Sequence, residues 1–420
     1  MAKGAGGLPG FRDFYPEEFA TRAFIQETWR AVARRFGFSE YDGPPLEPLE
    51  LYTRKSGDEI VGQLYNFTDK GSREVALRPE MTPTLARMVG ARANALPKPI
   101  RWFSVPQLFR YERQQKGRLR EHFQLNVDIV GEADVTADAE LLAVAVECMR
   151  GFGLGASDVE ARVSDRQLLL AILGALGVDA DRTDAVFGVI DKLSRQPRDV
   201  SRAKLAECGL RDAAADRVLE LRQLASVDDI RRAFASDAAV EERLVELERY
   251  LGYCEALGVR DFVRLDLTIV RGLAYYTGIV FELFDARGEF RAICGGGRYD
   301  TLLASLGGVD LPALGFGMGD VVLGELLKAR GQIPPAAHLL EYWVAVEDQG
   351  RMVDAMRVAT DLRRRGHSAE YALRPASLRK QLEAAGKAGA RWTVILRADG
   401  QHVVKDLASG REKPFTFGHG

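Results

Sequence analysis

The chain has 420 residues, 46% of them hydrophobic and 28% charged, with a formal net charge of −2. Its length predicts two or three domains, and its composition excludes a disordered or collagen-like chain. No apolar run reaches the roughly 18 residues of a membrane span, and near-neutrality argues against a generic polyanion binder. No apolar stretch precedes Leu8, so no secretory signal is expected. Cys148, Cys208, Cys254 and Cys294 lie far apart without metal-ligand spacing and read as reduced thiols, which predicts a cytoplasmic protein.

In chain order, residues 17–36 place Phe19, Ala23, Ile25, Trp29, Val32, Ala33 and Phe36 mostly on one helical face. Pro16 suits the start of that helix and Gly37 its end. Phe38–Tyr41 reads as extended, and Gly43-Pro44-Pro45 marks a strand edge or a turn. Leu64–Phe67 and Val75–Leu77, joined across Asp69-Lys70-Gly71, predict a hairpin. Arg101–Val105, Leu108–Arg113 and Phe123–Val130 predict strands, the last two separated by the polar run Gln114–Arg118. Residues 136–152 and 166–256 carry Ala, Leu, Arg and Glu at helical spacing, and the second stretch reads as a mostly helical insertion. Phe262–Leu267 alternates, and Ile279–Phe284 and Phe290–Cys294 flank a turn. Gly295–Gly297 fits either a plain tight turn or a close approach of ligand to backbone. Leu314–Gly319 is expected to open a helix reaching about Ala329.

Residues 330–340, stiffened by Pro334-Pro335, predict a linker. After it, strands at 342–346, 369–373, 392–396 and 402–405 alternate with helices at 352–364 and 377–388, the pattern of a small α/β domain. From Glu341 to Gly420 there are 14 basic and 10 acidic side chains, which leaves −6 on the preceding residues. A basic tail on an acidic body fits local nucleic-acid docking, and it equally fits chance variation of surface charge.

The densest polar run is Phe109–Glu121. On a strand, Arg110 alternates with aromatic neighbours, and a guanidinium held in a cleft suits a phosphate; a solvated basic hairpin is the other reading. Glu80 and Thr82 follow a predicted strand, where a carboxylate can hold an ammonium group. Gln124 and Asp128 share one face of an otherwise apolar strand, as in a lined pocket. Arg271, Tyr275 and Tyr276 stand beside Gly272 and Gly278, and Arg298, Tyr299 and Asp300 follow the glycine run. The five histidines form no metal-ligand pair, and neither the dinucleotide fingerprint nor the Walker A pattern is present.

Together these stretches resemble the histidyl-tRNA synthetases, class II aminoacyl-tRNA synthetases, over Leu8 to about Gly410. Leu8–Asp13 is similar to that family's N-terminal signature, residues 17–47 to motif 1, and Phe109–Asp128 to motif 2. Arg271–Gly278 and Gly295–Asp300 resemble its two histidine signatures, and Ser377–Leu382 with Val404–Leu407 its anticodon-binding domain. The resemblance implies an α+β fold: a class II synthetase-like antiparallel sheet core with flanking helices and a helical insertion at about 166–256, spanning residues 1–329. A linker at 330–340 and an anticodon-binding-like α/β domain at 341–420 follow.

It also implies ATP-dependent ligation of histidine to its tRNA through a histidyl-adenylate, in a homodimer, with Mg²⁺ arriving on ATP and no dedicated protein metal site. Arg110 and Arg271 would be catalytic. Glu80, Thr82, Gln124, Asp128, Tyr275, Tyr276 and Tyr299 would hold histidine. Glu112 and Arg118 would join the two arginines on ATP, and Arg363, Arg364, Arg379 and Lys380 would touch tRNA. Three positions depart from the family pattern: Asp128 for the usual Glu, Ala274 for Asp, and Val322 for the motif 3 arginine. Arg298 is a candidate for the missing cation. The alternative is a non-catalytic paralogue, the regulatory subunit of ATP phosphoribosyltransferase.

Overall fold

A computed structural model of the chain describes residues 7–56, 58–111, 119–193, 195–210, 212–235, 237–270, 275–334 and 340–416. Two compact units meet in sequence between Ile333 and Pro334.

The first unit opens with helix α1 (Pro16–Arg35), Pro16 in its first turn and Gly37 in the left-handed region after it. Strands β1 (Ser39–Glu40) and β2 (Leu46–Pro48) and helix α2 (Glu50–Ser56) follow. The expected hairpin is β3 (Asn66–Thr68) and β4 (Glu74–Leu77), and helix α3 (Thr82–Arg92) comes next. Then come β5 (Ile100–Ser104), β6 (Gln107–Phe109) and the long β7 (Glu121–Val130), followed by α4 (Thr136–Gly151) and β8 (Val159–Asp165). The insertion is helical: α5 (Arg166–Ala175), α6 (Thr183–Ile190), α7 (Arg198–Glu207), α8 (Asp212–Leu219), α9 (Val227–Ala233) and α10 (Ala238–Ala256). The unit closes with β9 (Val263–Leu265), β10 (Ile279–Asp285), β11 (Cys294–Arg298), α11 (Leu302–Gly307), β12 (Ala313–Gly319) and α12 (Asp320–Ala329).

Nine of these strands form one sheet in the order β1-β5-β7-β12-β11-β10-β8-β9, with β6 pairing β7; only the β1–β5 and β8–β9 pairs are parallel. One face packs on α1, α4 and α12. Trp29, Leu125, Val127, Leu142, Phe316 and Leu323 all belong to that buried core, and the Trp29 indole N–H donates to Met318 Sδ at 3.1 Å. The other face carries the site.

Three points differ from the sequence reading. Of the two readings of Gly295–Gly297 the turn is excluded: the run is the middle of β11, which pairs with β10 and β12 on either side. Leu314–Gly319 is strand, not helix; α12 begins at Asp320. β8, between two helical stretches, was not expected at all, and it pairs with β10 over seven positions.

The second unit contains β13 (Tyr342–Val346), α13 (Met352–Arg364), β14 (Ala369–Tyr371), α14 (Leu378–Lys387), β15 (Trp392–Leu396), β16 (Val403–Asp406) and β17 (Glu412–Pro414). Its sheet runs β14-β13-β15-β16-β17. Alternation along β13 sends Val344 and Val346 to one core with Val358 and Leu362, and Trp343 and Ala345 to another with Ala385 and Ala390. Both faces are covered, as a parallel centre requires.

Candidate active site

The site is built on β7. Because successive strand side chains alternate, Leu125, Val127 and Ile129 enter the core while His122, Gln124, Asn126 and Asp128 stand on the open face. Its neighbour β12 answers with Gly315, Gly317 and Gly319, in register with Asp128, Asn126 and Gln124. A Cβ at Gly315 would lie 2.1 Å from Asp128 Oδ1, and one at Gly317 would lie 2.8 Å from the Gln124 amide. At these two positions glycine is therefore needed, because any side chain would displace the polar row; Gly319 has open space beside it.

One cavity, of about 140 Å³, brings together Glu80, Thr82, Gln124, Asp128, Tyr275, Tyr276 and Tyr299, with Arg110 and Asn126 at its wall. Thr82 opens α3, with Pro83 beside it in the first turn. The loop before α3 is pinned by the buried Arg78, whose Nη1 donates to Asp42 at 2.7 Å and to the Gly43 carbonyl at 2.7 Å. Arg110 Nε donates to the Pro79 carbonyl at 2.9 Å, which ties β6 to the same loop. Tyr275 and Tyr276 lie 4.4 Å apart between ring centroids, and Tyr275 meets Tyr299 edge-on at 6.4 Å.

Asp128 sits at the bottom, 5% exposed. Burial pushes its carboxyl up to about 7, against the opposing effect of the hydrogen bond donated by the Tyr299 hydroxyl to Oδ1. Burial also raises the Tyr299 and Tyr276 phenols well above their ordinary value, so both remain neutral donors. A carboxylate and neutral hydroxyls in a desolvated pocket suit a small ligand carrying ring N–H groups.

A second cavity, of about 230 Å³, adjoins the first. Arg110, Gln124, Gly295 and Gly317 line both, so Arg110 stands at their junction. Its further lining includes His122, Glu282, Cys294, Val321 and Val322. Burial and the charges of Arg110 and Arg12 push the His122 imidazole down to about 3, so it is a neutral ring. Asn126 and His122 were not singled out from the sequence, although the period-two rule that paired Gln124 with Asp128 includes both. Glu282 was missed because a lone carboxylate on an apolar strand carries no local signal.

Arg271, Glu112, Arg118 and Ala274 lie outside the described residues. Arg298 does not compensate for Val322. It is buried, with Nε and Nη2 on Asp138 of α4 and Nη1 donating to the Glu132 carbonyl at 2.9 Å, and it lines neither cavity. Among the described residues, no group of three or more His, Cys, Asp or Glu side chains is placed to hold a metal ion, and no helix is long and apolar enough to cross a membrane. In the second unit Arg363 is committed to the Ala369 carbonyl at 2.7 and 2.9 Å, and Arg379 pairs with Glu383 at 3.0 Å. Arg364 and Lys380 are exposed.

A largely antiparallel sheet with helices behind it and a polar, glycine-floored groove in front is the class II synthetase-like fold. A histidyl-tRNA synthetase from Nostoc matches it with a TM-score of 0.85 and 24% identity, covering 98% of this chain and 97% of that one. A Bacillus halodurans protein described as an ATP phosphoribosyltransferase regulatory subunit/histidyl-tRNA synthetase shares the fold with a TM-score of 0.77 and 22% identity, covering 95% of this chain and 100% of that one. The chain belongs to the histidyl-tRNA synthetase family, whose model matches residues 10–319. The histidine–tRNA ligase of Opitutus terrae is 46% identical, over 96% of this chain and 94% of its own length. The chloroplastic/mitochondrial histidine–tRNA ligase of Arabidopsis thaliana is 40% identical, over 96% of this chain and 83% of its own.

Proposed function

We infer that the chain ligates histidine to its tRNA, using ATP and passing through a histidyl-adenylate. The observation that carries this reading is the single cavity holding all seven side chains expected to bind histidine, adjoining a second cavity across Arg110. The first cavity takes the amino acid. Glu80 and Thr82 receive its ammonium group, Gln124 orients it, and Asp128, with Tyr276 beside it and Tyr299 behind it, reads the imidazole. The second cavity takes ATP, with Glu112 and Arg118 on the nucleotide.

The histidine carboxylate then attacks the α-phosphorus in line. One P–O bond forms, the bond to the β-phosphate breaks, and pyrophosphate leaves. Arg110 and Arg271 stabilise the charge that builds on the phosphoryl oxygens, and the remaining side chains hold the reactants in place. Glu282, which lines the second cavity, would be the carboxylate at hand for a Mg²⁺ ion carried by ATP, which would supply charge neutralisation on the phosphates and needs few protein ligands. A tRNA terminal hydroxyl next attacks the carbonyl, and AMP leaves.

Residues 1–329 act as the catalytic domain, 330–340 as a linker and 341–420 as the anticodon-binding domain, with Arg364 and Lys380 the better placed of the four candidate tRNA contacts. The motif 1 resemblance at residues 17–47 supports a homodimer, and the reading places the protein in the cytoplasm. The regulatory-subunit alternative has less behind it, because the histidine pocket and the second unit are both retained. ATP–pyrophosphate exchange with each amino acid tests the reading: exchange with histidine alone is expected, and no histidine-dependent exchange refutes it.

A further inference from the structure

At the outer end of the second cavity the two central strands part. The β7–β12 ladder ends where Gln124 pairs with Gly319. Beyond that pair, β12 gives way to α12 at Asp320, while β7 extends back to Glu121. The Phe123 N–H therefore has no strand carbonyl opposite it, and it donates instead to Asp320 Oδ1 at 2.9 Å. Asp320 Oδ2 pairs with Arg12 Nη1 at 2.9 Å. Arg12 Nε donates to Glu121 Oε1 at 2.6 Å, and Glu121 Oε2 accepts from Gln107 Nε2 of β6 at 3.0 Å. The side chains of Glu121 and Asp320 are only 2% and 4% exposed.

One guanidinium thus spans two buried carboxylates from segments that have stopped pairing. A planar fork does this from separate nitrogens, Nε to Glu121 and Nη1 to Asp320, whereas an ammonium offers its three donors from one point and would have to draw the two carboxylates together. Arg22, stacked over the rings of Phe14 and Phe123 at 4.4 and 4.7 Å, is the second cation beside the pair and keeps the cluster near neutral. The residues joined in this way flank the walls of the second cavity: His122 and Gln124 on β7, Gly319 at the end of β12, and Val321 and Val322 in the first turn of α12.

We propose that Arg12 is a positioning residue for the nucleotide: by bridging Glu121 and Asp320 it sets the separation of the two cavity walls in a chain with valine at position 322. The N-terminal segment then supplies, by fixing wall geometry, part of the hold on ATP that no side chain at 322 can give. This rests on reading that cavity as the ATP end of the site. Arg12 itself touches neither ATP nor the reacting atoms.

The test is pyrophosphate exchange by the full-length protein, with ATP and histidine titrated separately. Arg12→Lys keeps the charge but offers its donors from a single point on a flexible stem, so the spacing of the two carboxylates is no longer set. Its KM for ATP should rise about tenfold or more, with the KM for histidine within about twofold. Asp320→Asn keeps the acceptor for the Phe123 N–H and should raise the KM for ATP by less. In the double variant the two effects should fall short of multiplying. A purely structural role lowers the melting temperature or the active fraction and leaves both KM values unchanged, and that result overturns the proposal. If Arg12→Lys does not fold, Asp320→Asn carries the same KM comparison alone. If the wild type exchanges with no amino acid, the functional reading fails separately. Equilibrium titration of ATP then decides: weaker binding by Arg12→Lys supports the proposal, and equal binding overturns it.

Discussion

The two ends of the groove share one sheet face and differ in how they are built. The end proposed for histidine is the smaller, with a buried floor: Asp128 and Tyr299 are buried, joined by a hydrogen bond, and flanked by Gly315 and Gly317, where a Cβ would collide with the polar row. The nucleotide end is larger, and valines stand on its α12 side. The contrast fits what each proposed ligand needs. A small ring is told from other side chains by buried polar groups that lose their partner when the wrong ligand enters, and those groups must be fixed beforehand. A triphosphate offers many charged oxygens, so its hold can be shared among several cations.

The largest effect should come from breaking the histidine end. Asp128→Asn keeps the shape and the acceptor for Tyr299 but removes the charge. Histidine-dependent exchange should fall about a thousandfold in kcat/KM, with the KM for ATP nearly unchanged. The same variant exposes what the site costs the fold. The Asp128 carboxyl titrates near 7 in the folded chain, above its ordinary 3.8. The folded state therefore binds the proton more tightly, and stability falls as pH rises from about 4 to about 7, by at most about 4 kcal/mol. Asp128→Asn should remove that component and melt higher than wild type at pH 8. A thermal-melt series that shows the same pH slope in both proteins breaks the account of a desolvated carboxylate.

At the nucleotide end the expected loss is smaller because the hold is shared. Arg271→Ala should lower adenylate formation at least about a hundredfold, mainly in kcat, as for one preorganised donor at a developing charge. Single-turnover measurement of the adenylate checks this. Val322→Arg should not be required for activity, and a large gain from it would show that the present hold is incomplete. A near-normal rate for Arg271→Ala would move the charge-stabilising role to Arg110 alone.

The histidine end was also the more legible in sequence. Gln124 and Asp128 stand out because two polar residues at even spacing interrupt an apolar strand, and strand periodicity carries that directly into a shared face. Of the two readings of the glycine run, only the turn is overturned; it arose because glycine is a poor strand former and a good turn former. The reason for the run lies in the packing: a Cβ at Gly296 would stand 2.4 Å from Phe316 Cβ. β12 looked helical because Leu314-Gly-Phe-Gly-Met-Gly319 leads straight into α12, although its alternation of apolar residue and glycine has period two. Arg298 was misplaced for the opposite reason. Nearness in sequence to the glycines suggested the pocket, but it sits one residue from Tyr299 and so points to the other face, into Asp138. β8 had only Val159, Ala161 and Val163 to announce it, and its pairing with β10 is a long-range fact. The Arg12 bridge joins residues more than a hundred positions apart, and no local pattern encodes that.

A smaller effect, tens of fold, is expected when the second unit is removed. If the second unit serves only the tRNA, as proposed, a chain stopped near Gln332 should form adenylate at a rate close to that of the full-length protein but charge tRNA tens of times more slowly. Equal loss of both activities in a folded truncation breaks the division of labour.

The smallest effect belongs to single cations on that unit. Arg363 already serves the fold through the Ala369 carbonyl, and Arg379 is partly answered by Glu383. Arg364, in the last turn of α13, and Lys380, in the first turn of α14, are exposed and remain the best candidates. An exposed cation that meets one phosphate adds a salt-dependent increment and no base selectivity. Arg364→Gln with Lys380→Gln should therefore raise the KM for tRNA only a few-fold at moderate salt, and it should reduce the steepness of the logarithmic salt dependence by about 0.7–0.9 for each phosphate left without its cation. Exchange activity and the KM for histidine should not move. An unchanged salt slope would mean that both side chains are simply solvated, and that the basic excess of the second unit meets the tRNA elsewhere or not at all.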